Sequence, residues 1–302
     1  MKFGKVADPS RVEFHLPVEP LANARRLERY EIDPSEGLPR IYVGATGWSM
    51  KEWVGKWYPE KTKASDYLRH YGKQFNTIEL NTTHYRIPDL DLVDRWCAAV
   101  PDDFRFCPKV PQSISHRNDL GQHQDALPRF VRSLDRFGEK LGCAFVQLPP
   151  YFDAARLEVL EAFLDRWPGL LPLAVEVRHP SWFQDPFTTE RLMDLLAANG
   201  VAAVITDVAG RRDVLHGYVT APRSMVRFVG NGLINSDYRR LEDWAHKLSE
   251  WNLPENYFFP HQPDNILAPE AAAWFVDHLH AQGQSETRGP QPDAGPPQMS
   301  LF

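Results

Sequence analysis

The sequence has few cysteines and lacks any long apolar run. Cys97, Cys107 and Cys143 are odd in number, and none is paired at the C-x-x-C spacing of a metal knuckle, so we expect neither a disulfide framework nor a structural zinc site. No stretch is long and apolar enough to cross a bilayer. Residues 1–26 lack the continuous apolar segment and cleavage site of a secretory signal. We therefore expect a cytoplasmic protein without membrane contact.

The sequence also lacks glycine-rich phosphate-binding motifs and any excess of positive charge. No G-x-G-x-x-G follows the first predicted strand and no G-x-x-x-x-G-K occurs, so we expect no nucleotide cofactor. The formal net charge of -6 removes the simplest electrostatic argument for non-specific nucleic-acid binding. Arginines are concentrated in residues 211–240, so a local basic patch remains possible despite the negative net charge.

What the sequence does contain is an alternation of short β-branched or aromatic runs with longer amphipathic segments. This pattern is typical of repeated βα units and a parallel sheet. Eight strands close a barrel, so the fold class we predict is α/β, a (β/α)8 TIM-type barrel, with a doubly wound open sheet as the alternative. The predicted strands are Ile41–Ala45, Thr77–Leu80, Phe104–Cys107, Ala144–Leu148, Leu173–Val177, Ala202–Thr206, Met225–Val229 and Tyr257–Pro260.

The domain organisation follows from composition. We predict an N-terminal extension over residues 1–38 and a single barrel domain over residues 39–281. Residues 282–302 are rich in Gln, Gly, Ser and Pro, and apolar residues are scarce there except at the last few positions. This composition predicts a flexible tail.

Nearly every predicted strand ends in a side chain that can ionise or form hydrogen bonds. In TIM-type barrels such groups converge on one mouth, and the mixture of carboxylates, lysine, arginine and histidine found here suits anion binding and general acid-base work. The alternative is a buried ion-pair network that only orders the rim. The candidate catalytic residues are Glu79, Lys109, Glu176 and His179. The candidate substrate-binding residues are Trp48, Asn81, Tyr85, His116, Gln147, Arg178, Trp182, Asp207 and Arg227.

A divalent metal is a further possibility at the same mouth, because oxygen and imidazole ligands are available there. Ligands supplied by separate strands leave no short motif, so the spacing is not diagnostic. The candidate ligands are Glu79, Glu176, His179, Asp207 and His261.

Five segments resemble the YecE-like family, the domain of unknown function seventy-two family. They are Gly44–Trp48, Glu79–Arg86, Phe104–Phe106 with Lys109, Gln147–Pro150 and Glu176–Trp182. The resemblance covers roughly Ile41–His280. It implies a TIM-type barrel similar to the superfamily of xylose isomerases and endonuclease IV, but it implies no activity, because the family is uncharacterised.

The last five residues, Gln298–Phe302, look like the peptide by which bacterial DNA polymerases and repair proteins dock on the sliding clamp. Leu301 and Phe302 could fill an apolar groove, with Met299 beside them, while Gln298 could form a hydrogen bond at the groove's edge. An accidental apolar end is the alternative.

Three functions remain open from the sequence. The first is a phosphodiesterase or lyase, similar to endonuclease IV, that acts on damaged or processed nucleic acid. The second is a sugar or sugar-phosphate isomerase or epimerase that works by proton transfer. The third is a non-catalytic module associated with the sliding clamp.

Overall fold

The structure is a computed structural model that describes residues 4–30, 32, 38–283 and 287–293. Over these residues the chain forms a mixed α/β fold in which all paired strands run parallel. Each strand overlaps one of the eight predicted runs. The strands are β1 (Arg40–Val43), β2 (Thr77–Leu80), β3 (Arg105–Pro108), β4 (Ala144–Gln147), β5 (Leu173–Glu176), β6 (Ala202–Asp207), β7 (Arg223–Val229) and β8 (Glu255–His261).

The strands form two parallel sheets. One has the order β1-β8-β7-β6-β5-β4, and the other pairs β2 with β3. A few backbone hydrogen bonds connect them: Val110 N donates to Phe145 O and Gly142 N to Phe106 O, both at 2.8 Å, and Glu79 N donates to Ala45 O at 3.1 Å. The carboxyl ends of the strands therefore lie at the same side of the fold.

Helices follow the strands along the chain. Their starts carry the expected signals: the side chain of Asp89 accepts a hydrogen bond from Leu92 N at 2.8 Å, and Asp185 precedes Pro186 and accepts from Thr188 N at 2.9 Å. None of the described helices is both long enough and apolar enough to span a membrane. The α-helices are α1 (Leu21–Tyr30), α2 (Tyr67–Gln74), α3 (Thr82–Tyr85), α4 (Leu90–Ala99), α5 (Gln112–Ser115), α6 (Ala126–Asp135), α7 (Leu157–Arg166), α8 (Pro186–Ala198), α9 (Asn235–Trp251) and α10 (Ala268–Ala281).

Alternation along the strands divides the core into an inner and an outer part. Outward-facing residues meet the helices; Phe258 of β8, for example, stacks on Phe275 of α10 at 3.8 Å between ring centroids. Inward-facing residues of seven strands, together with Cys143 and Ala221 shortly before β4 and β7, form one apolar cluster. Its members are Tyr42, Cys107, Cys143, Phe145, Ala174, Ala202, Val204, Ala221, Met225, Tyr257 and Phe259. Cys97, Cys107 and Cys143 are free thiols in the described structure.

The N-terminal residues pack against the connection between β6 and β7. Asn23 of α1 is buried, donates to Gly217 O at 2.7 Å and accepts from Val219 N at 2.9 Å. The predicted extension is thus attached to the rest of the fold by specific hydrogen bonds.

Residues 287–293 fall within the predicted tail, but they are held against the end of α2 and the loop before β3. Arg288 pairs with Asp103 at 2.6 Å and donates to Phe75 O at 3.0 Å, while Gln291 N donates to the side chain of Gln74 at 2.7 Å. Polar contacts of this kind leave no trace in apolar content, which is why composition did not predict them. The end of the predicted tail, including Gln298, Met299, Leu301 and Phe302, lies outside the described residues.

Candidate functional site

A layer of polar side chains lies at the carboxyl ends of the strands, directly above the inner apolar cluster. Successive inward positions are two residues apart, so the residue two positions after each inner apolar residue also points inward. Phe145 is followed by Gln147, Ala174 by Glu176, and Met225 by Arg227. The polar inward residues are Glu79, Lys109, Gln147, Glu176, Thr206, Arg227 and His261. Each is buried.

Arg227 is the centre of this layer, because its guanidinium binds two carboxylates. It donates to Glu79 through Nε and Nη2, both at 2.8 Å, and to Glu176 through Nη1 at 2.7 Å. All three side chains are at most 1% exposed. Two buried anions are therefore neutralised largely by one buried cation, and the arrangement depends on all three.

Further residues extend this set of hydrogen bonds in both directions. On one side Gln147 donates to Glu176 at 2.7 Å, and Lys109 Nζ donates to Gln147 at 2.9 Å; Arg178 Nε also donates to Glu176 at 2.6 Å. On the other side Asn81 and His261 each bond to Glu79 at 2.9 Å. We call these eight residues the charge network. Its members are Glu79, Asn81, Lys109, Gln147, Glu176, Arg178, Arg227 and His261.

Both carboxylates of the charge network stay ionised. Burial alone would raise the pKa of Glu176, but the charges of Arg178 and Arg227 outweigh it and hold that pKa at about 2. Burial is likewise opposed at Glu79, where Arg227 and His261 hold the pKa well below its ordinary range. A carboxylate with so low a pKa is a weak base and a poor proton donor at neutral pH. Glu79 and Glu176 are thus better suited to positioning the cations than to proton transfer.

Lys109 is a titratable member of the network whose pKa lies well below that of an ordinary lysine. Burial, together with the charge of Arg227, lowers the pKa of its ammonium to about 8, although Glu79 and Glu176 oppose the shift. Its Nζ lies 5.9 Å from the centroid of the Phe145 ring, which forms the apolar floor beneath it. Roughly a tenth of Lys109 is therefore uncharged at pH 7.

Two histidines lie beside Lys109. Burial and the charge of Lys109 lower the pKa of His84 to about 4 and also lower that of His116. The two rings are 5.2 Å apart, and His84 Nδ1 lies 3.2 Å from Val110 O. Both imidazoles are neutral at pH 7 and can accept a proton. His116 was among the predicted residues, whereas His84 was not.

Thr206 is an inward polar residue that sequence reasoning missed. It lies opposite Arg227 in the register between β6 and β7, and its buried hydroxyl has no hydrogen-bond partner among the described residues. An unsatisfied buried hydroxyl is costly, so a polar ligand group would stabilise it. Counting inward positions along β6 from Ala202 and Val204 would have identified it.

Asp207 lies apart from the charge network. As the residue after an inward one, it faces outward to α9, where Arg240 binds it at 2.9 Å, Trp244 Nε1 donates at 2.8 Å, and Arg212 forms a further ion pair. Arg212 and Arg240 also flank the ring of Phe14. The structure places this predicted substrate-binding and metal-ligating residue in a structural cluster with the N-terminal segment.

The predicted aromatic residues are divided between core and surface. Trp182 is fully buried and donates through Nε1 to Phe152 O at 2.9 Å, so its ring cannot stack on a ligand. Trp48 is partly buried and packs edge-on against Trp96. Tyr85, at 75% exposed, is the most exposed of the three predicted rings. His179 accepts from Ser181 N at 3.2 Å through Nδ1 and so begins a short 3₁₀ turn.

The predicted metal ligands do not fit a metal. Across the described residues there is no group of three or more His, Cys, Asp and Glu side chains placed to hold an ion. All four carboxylate oxygens of Glu79 and Glu176 already accept hydrogen bonds from protein donors. An ion at these oxygens would have to displace Arg227, which is far better matched to two carboxylates.

Comparison with known proteins confirms the family resemblance. Residues 42–296 match the model for "Protein of unknown function DUF72". The chain is 34% identical to the UPF0759 protein YecE of Escherichia coli strain K12, over 76% of this chain and 89% of that one. It is 27% identical to the UPF0759 protein YunF of Bacillus subtilis strain 168, over 70% and 83%.

Solved structures of similar fold come from the same family. A DUF72 family protein from Thermotoga maritima MSB8 matches with a TM-score of 0.61 and 25% identity, over 80% of this chain and 99% of that chain. One from Enterococcus faecalis V583 matches with a TM-score of 0.65 and 22% identity, over 80% and 96%.

Proposed function

The chain belongs to the DUF72 family, and we propose that its charge network binds a phosphate-bearing substrate on which the protein acts as an enzyme. The observation that carries this proposal is the distribution of exposure. Glu79, Glu176 and Arg227 are at most 1% exposed, whereas Lys109 and Arg178 are each 8% exposed. The charged side chains that solvent can reach are thus both cations. An anion entering between the strand ends meets Lys109 and Arg178 first.

We also propose that the two sheets form one closed (β/α)8 barrel with the charge network at its mouth. The hydrogen bonds from Val110 to Phe145 and from Glu79 to Ala45 support closure at the two junctions. The single inner cluster drawn from seven strands supports it further. In such a barrel the loops after the strands surround the network and supply the remaining contacts to substrate.

Within this class we propose processed or damaged nucleic acid as the substrate, with hydrolase or lyase chemistry. A groove of about 480 Å³ is formed by the segments that follow β2 and β3 and by α6, and it is lined partly by Tyr85, Arg86, Arg129 and Arg132. The three arginines are exposed and form no ion pair with any described residue. The single acid that lines the groove, Asp89, caps α4. Exposed arginines beside an open aromatic ring suit a sugar-phosphate backbone and an unstacked base.

The test compares single-stranded, nicked and abasic oligonucleotides by fluorescence anisotropy and by gel analysis of cleavage, with divalent metals and with chelator. We expect the triple variant Arg86→Ala, Arg129→Ala, Arg132→Ala to bind about tenfold or more weakly than the unmodified protein. A control with the same charge change replaces the exposed arginines Arg69, Arg95 and Arg239 and should bind nearly normally. Equal binding by both triple variants, or no binding by the unmodified protein, contradicts the nucleic-acid proposal.

A second candidate is a sugar-phosphate isomerase or epimerase. The observation that favours it is the low exposure of every inward member of the network, at most 8%, which suits a small ligand. The unpaired hydroxyl of Thr206 and the neutral His84 and His116 supply a polar contact and proton acceptors. Incubation with ribose 5-phosphate in deuterated water tests this candidate, because isomerisation exchanges a carbon-bound proton that NMR detects. Lack of exchange with this and related sugar phosphates contradicts it.

A third proposal concerns partners: residues 298–302 dock the protein on the sliding clamp. The apolar pair Leu301 and Phe302 ends a polar segment, and a short apolar peptide of this kind can fill a groove on a partner. Should the charge network prove to bind no substrate, this docking would leave a non-catalytic module as the remaining function.

A further inference from the structure

We infer that Lys109 is a nucleophile that condenses with the aldehyde of its substrate to form an imine. The substrate class is a phosphorylated aldehyde whose phosphate is on the second carbon from the carbonyl, which includes the open form of an abasic deoxyribose. This inference rests on the proposed function for one point only, the binding of phosphate at Arg178.

The contacts of Lys109 are those of an amine kept available for reaction. Its Nζ makes one hydrogen bond among the described residues, to the amide oxygen of Gln147 at 2.9 Å. The oxygens of Glu79 and Glu176 are occupied by other donors, so neither carboxylate forms an ion pair with Lys109 in the described structure. A buried ammonium without a paired anion is unfavourable, and that favours the neutral amine.

The surroundings of Lys109 act in the same direction. Arg227 and Lys109 lie over the same Phe145 ring, at 5.7 and 5.9 Å from its centroid, and Arg178 is a further cation nearby. Burial beside cations is a known way to activate a lysine for imine formation. With a pKa of about 8, roughly a tenth of Lys109 is uncharged at pH 7, against fewer than about one part in a thousand at its ordinary value.

The proposed condensation balances without an added reactant. The amine nitrogen of Lys109 bonds to the carbonyl carbon, the carbonyl C–O bond breaks, and the oxygen leaves as water with the two amine protons. The resulting imine acidifies the hydrogen on the adjacent carbon. A neutral histidine, His84 or His116, accepts that proton, and the electron pair expels the phosphate from the next carbon. Arg178 holds the phosphate through this elimination.

Borohydride trapping tests the inference, because reduction converts an imine into a stable secondary amine. The full chain is incubated with sodium borohydride and either an abasic duplex oligonucleotide or glyceraldehyde 3-phosphate, and the adduct is weighed by intact mass spectrometry. Peptide mapping of the unmodified protein then locates it. We expect the adduct on Lys109 and a loss of about tenfold or more in Lys109→Arg. The control Lys51→Arg, at an exposed lysine, should be trapped normally.

The outcomes separate this inference from the proposed function. An adduct on Lys109 supports both. Binding of an oligonucleotide with a reduced, aldehyde-free abasic analogue, but no adduct or an adduct on other lysines, overturns the imine and leaves phosphate binding intact. Failure of both binding and trapping overturns both. Because mapping uses the unmodified protein, the result does not depend on whether Lys109→Arg folds.

Discussion

Replacing Arg227 with methionine should cost the protein a large part of its stability. The guanidinium neutralises Glu79 and Glu176, each at most 1% exposed, and methionine restores the volume without the charge. Removal of one partner from a buried ion pair typically costs about 3–5 kcal/mol, because it leaves an unpaired buried charge. Glu79 loses its paired arginine and Glu176 loses one of its two, so we expect a loss in the free energy of unfolding at the upper end of that range. Urea titration followed by circular dichroism at pH 7 measures it.

The loss in free energy of unfolding caused by Arg227→Met should also depend on pH. The pKa of Glu176 falls from its ordinary 4.5 to about 2 in the folded protein, which corresponds to about 3 kcal/mol. A depressed carboxyl pKa stabilises the fold above pH 4.5, and this contribution is lost as the pH falls toward 2. In Arg227→Met the carboxyls should titrate at higher pH. The difference in free energy of unfolding between the unmodified protein and Arg227→Met should therefore be largest near neutral pH and should decrease on acidification.

Two control variants make the prediction specific. Arg95→Met replaces an exposed arginine and should change stability by less than about 0.5 kcal/mol. The triple variant Glu79→Gln, Glu176→Gln, Arg227→Met removes all three charges together and should recover most of the loss, since uncharged replacements of a buried network are often neutral. The reasoning is refuted if Arg227→Met lowers the free energy of unfolding by less than about 1 kcal/mol. It is also refuted if the difference from the unmodified protein is the same at pH 7 and pH 3.

Three smaller predictions follow from other features of the site. Thr206→Val should leave the free energy of unfolding unchanged or raise it by up to about 1 kcal/mol, since the hydroxyl it removes is unpaired. A clear loss of stability in thermal unfolding would contradict an unpaired hydroxyl. NMR titration of His84 should show a neutral ring down to a pKa of about 4, and a midpoint near 6.5 would contradict its burial beside a cation. Deletion of Gln298–Phe302 should abolish binding to a purified sliding clamp in surface plasmon resonance without changing thermal stability. Unchanged binding would contradict the docking proposal.

The positions of the strands could be predicted from the sequence, because their composition and the turns around them are local properties. The ionisable groups at the strand ends were also visible, and Glu79, Lys109 and Glu176 do meet in one network. Which groups meet is a different matter, since Arg227 pairs with Glu79 across 148 positions of the chain. Such a pairing is set by how the strands assemble, and no local signal encodes it.

Asp207 was assigned to the site and Thr206 was missed for one physical reason: a position at a strand end does not fix which way a side chain points. Asp207 and Thr206 are neighbours, yet Thr206 continues the inward series and Asp207 turns to Arg240 on α9. Applying the two-residue period from the inner apolar residues upward separates them. The same counting could not have placed Trp182, which lies in a turn after β5 and is buried through its contact with Phe152.

The charge balance of the network explains how Lys109 can be within reach of an anion and still be reactive. Two carboxylates offset Arg227 and Arg178, so the remaining positive charge is that of Lys109, and its protonation decides whether the site is neutral or cationic. A phosphate bound directly at Lys109 would stabilise the ammonium and suppress condensation. A phosphate held by Arg178 leaves Lys109 free to lose its proton, because Gln147, a neutral acceptor, is the group that positions its Nζ. The proposed lyase chemistry therefore depends on two different cations. Arg178, which stays charged, binds the phosphate, and Lys109, which can lose its proton, reacts with the carbonyl.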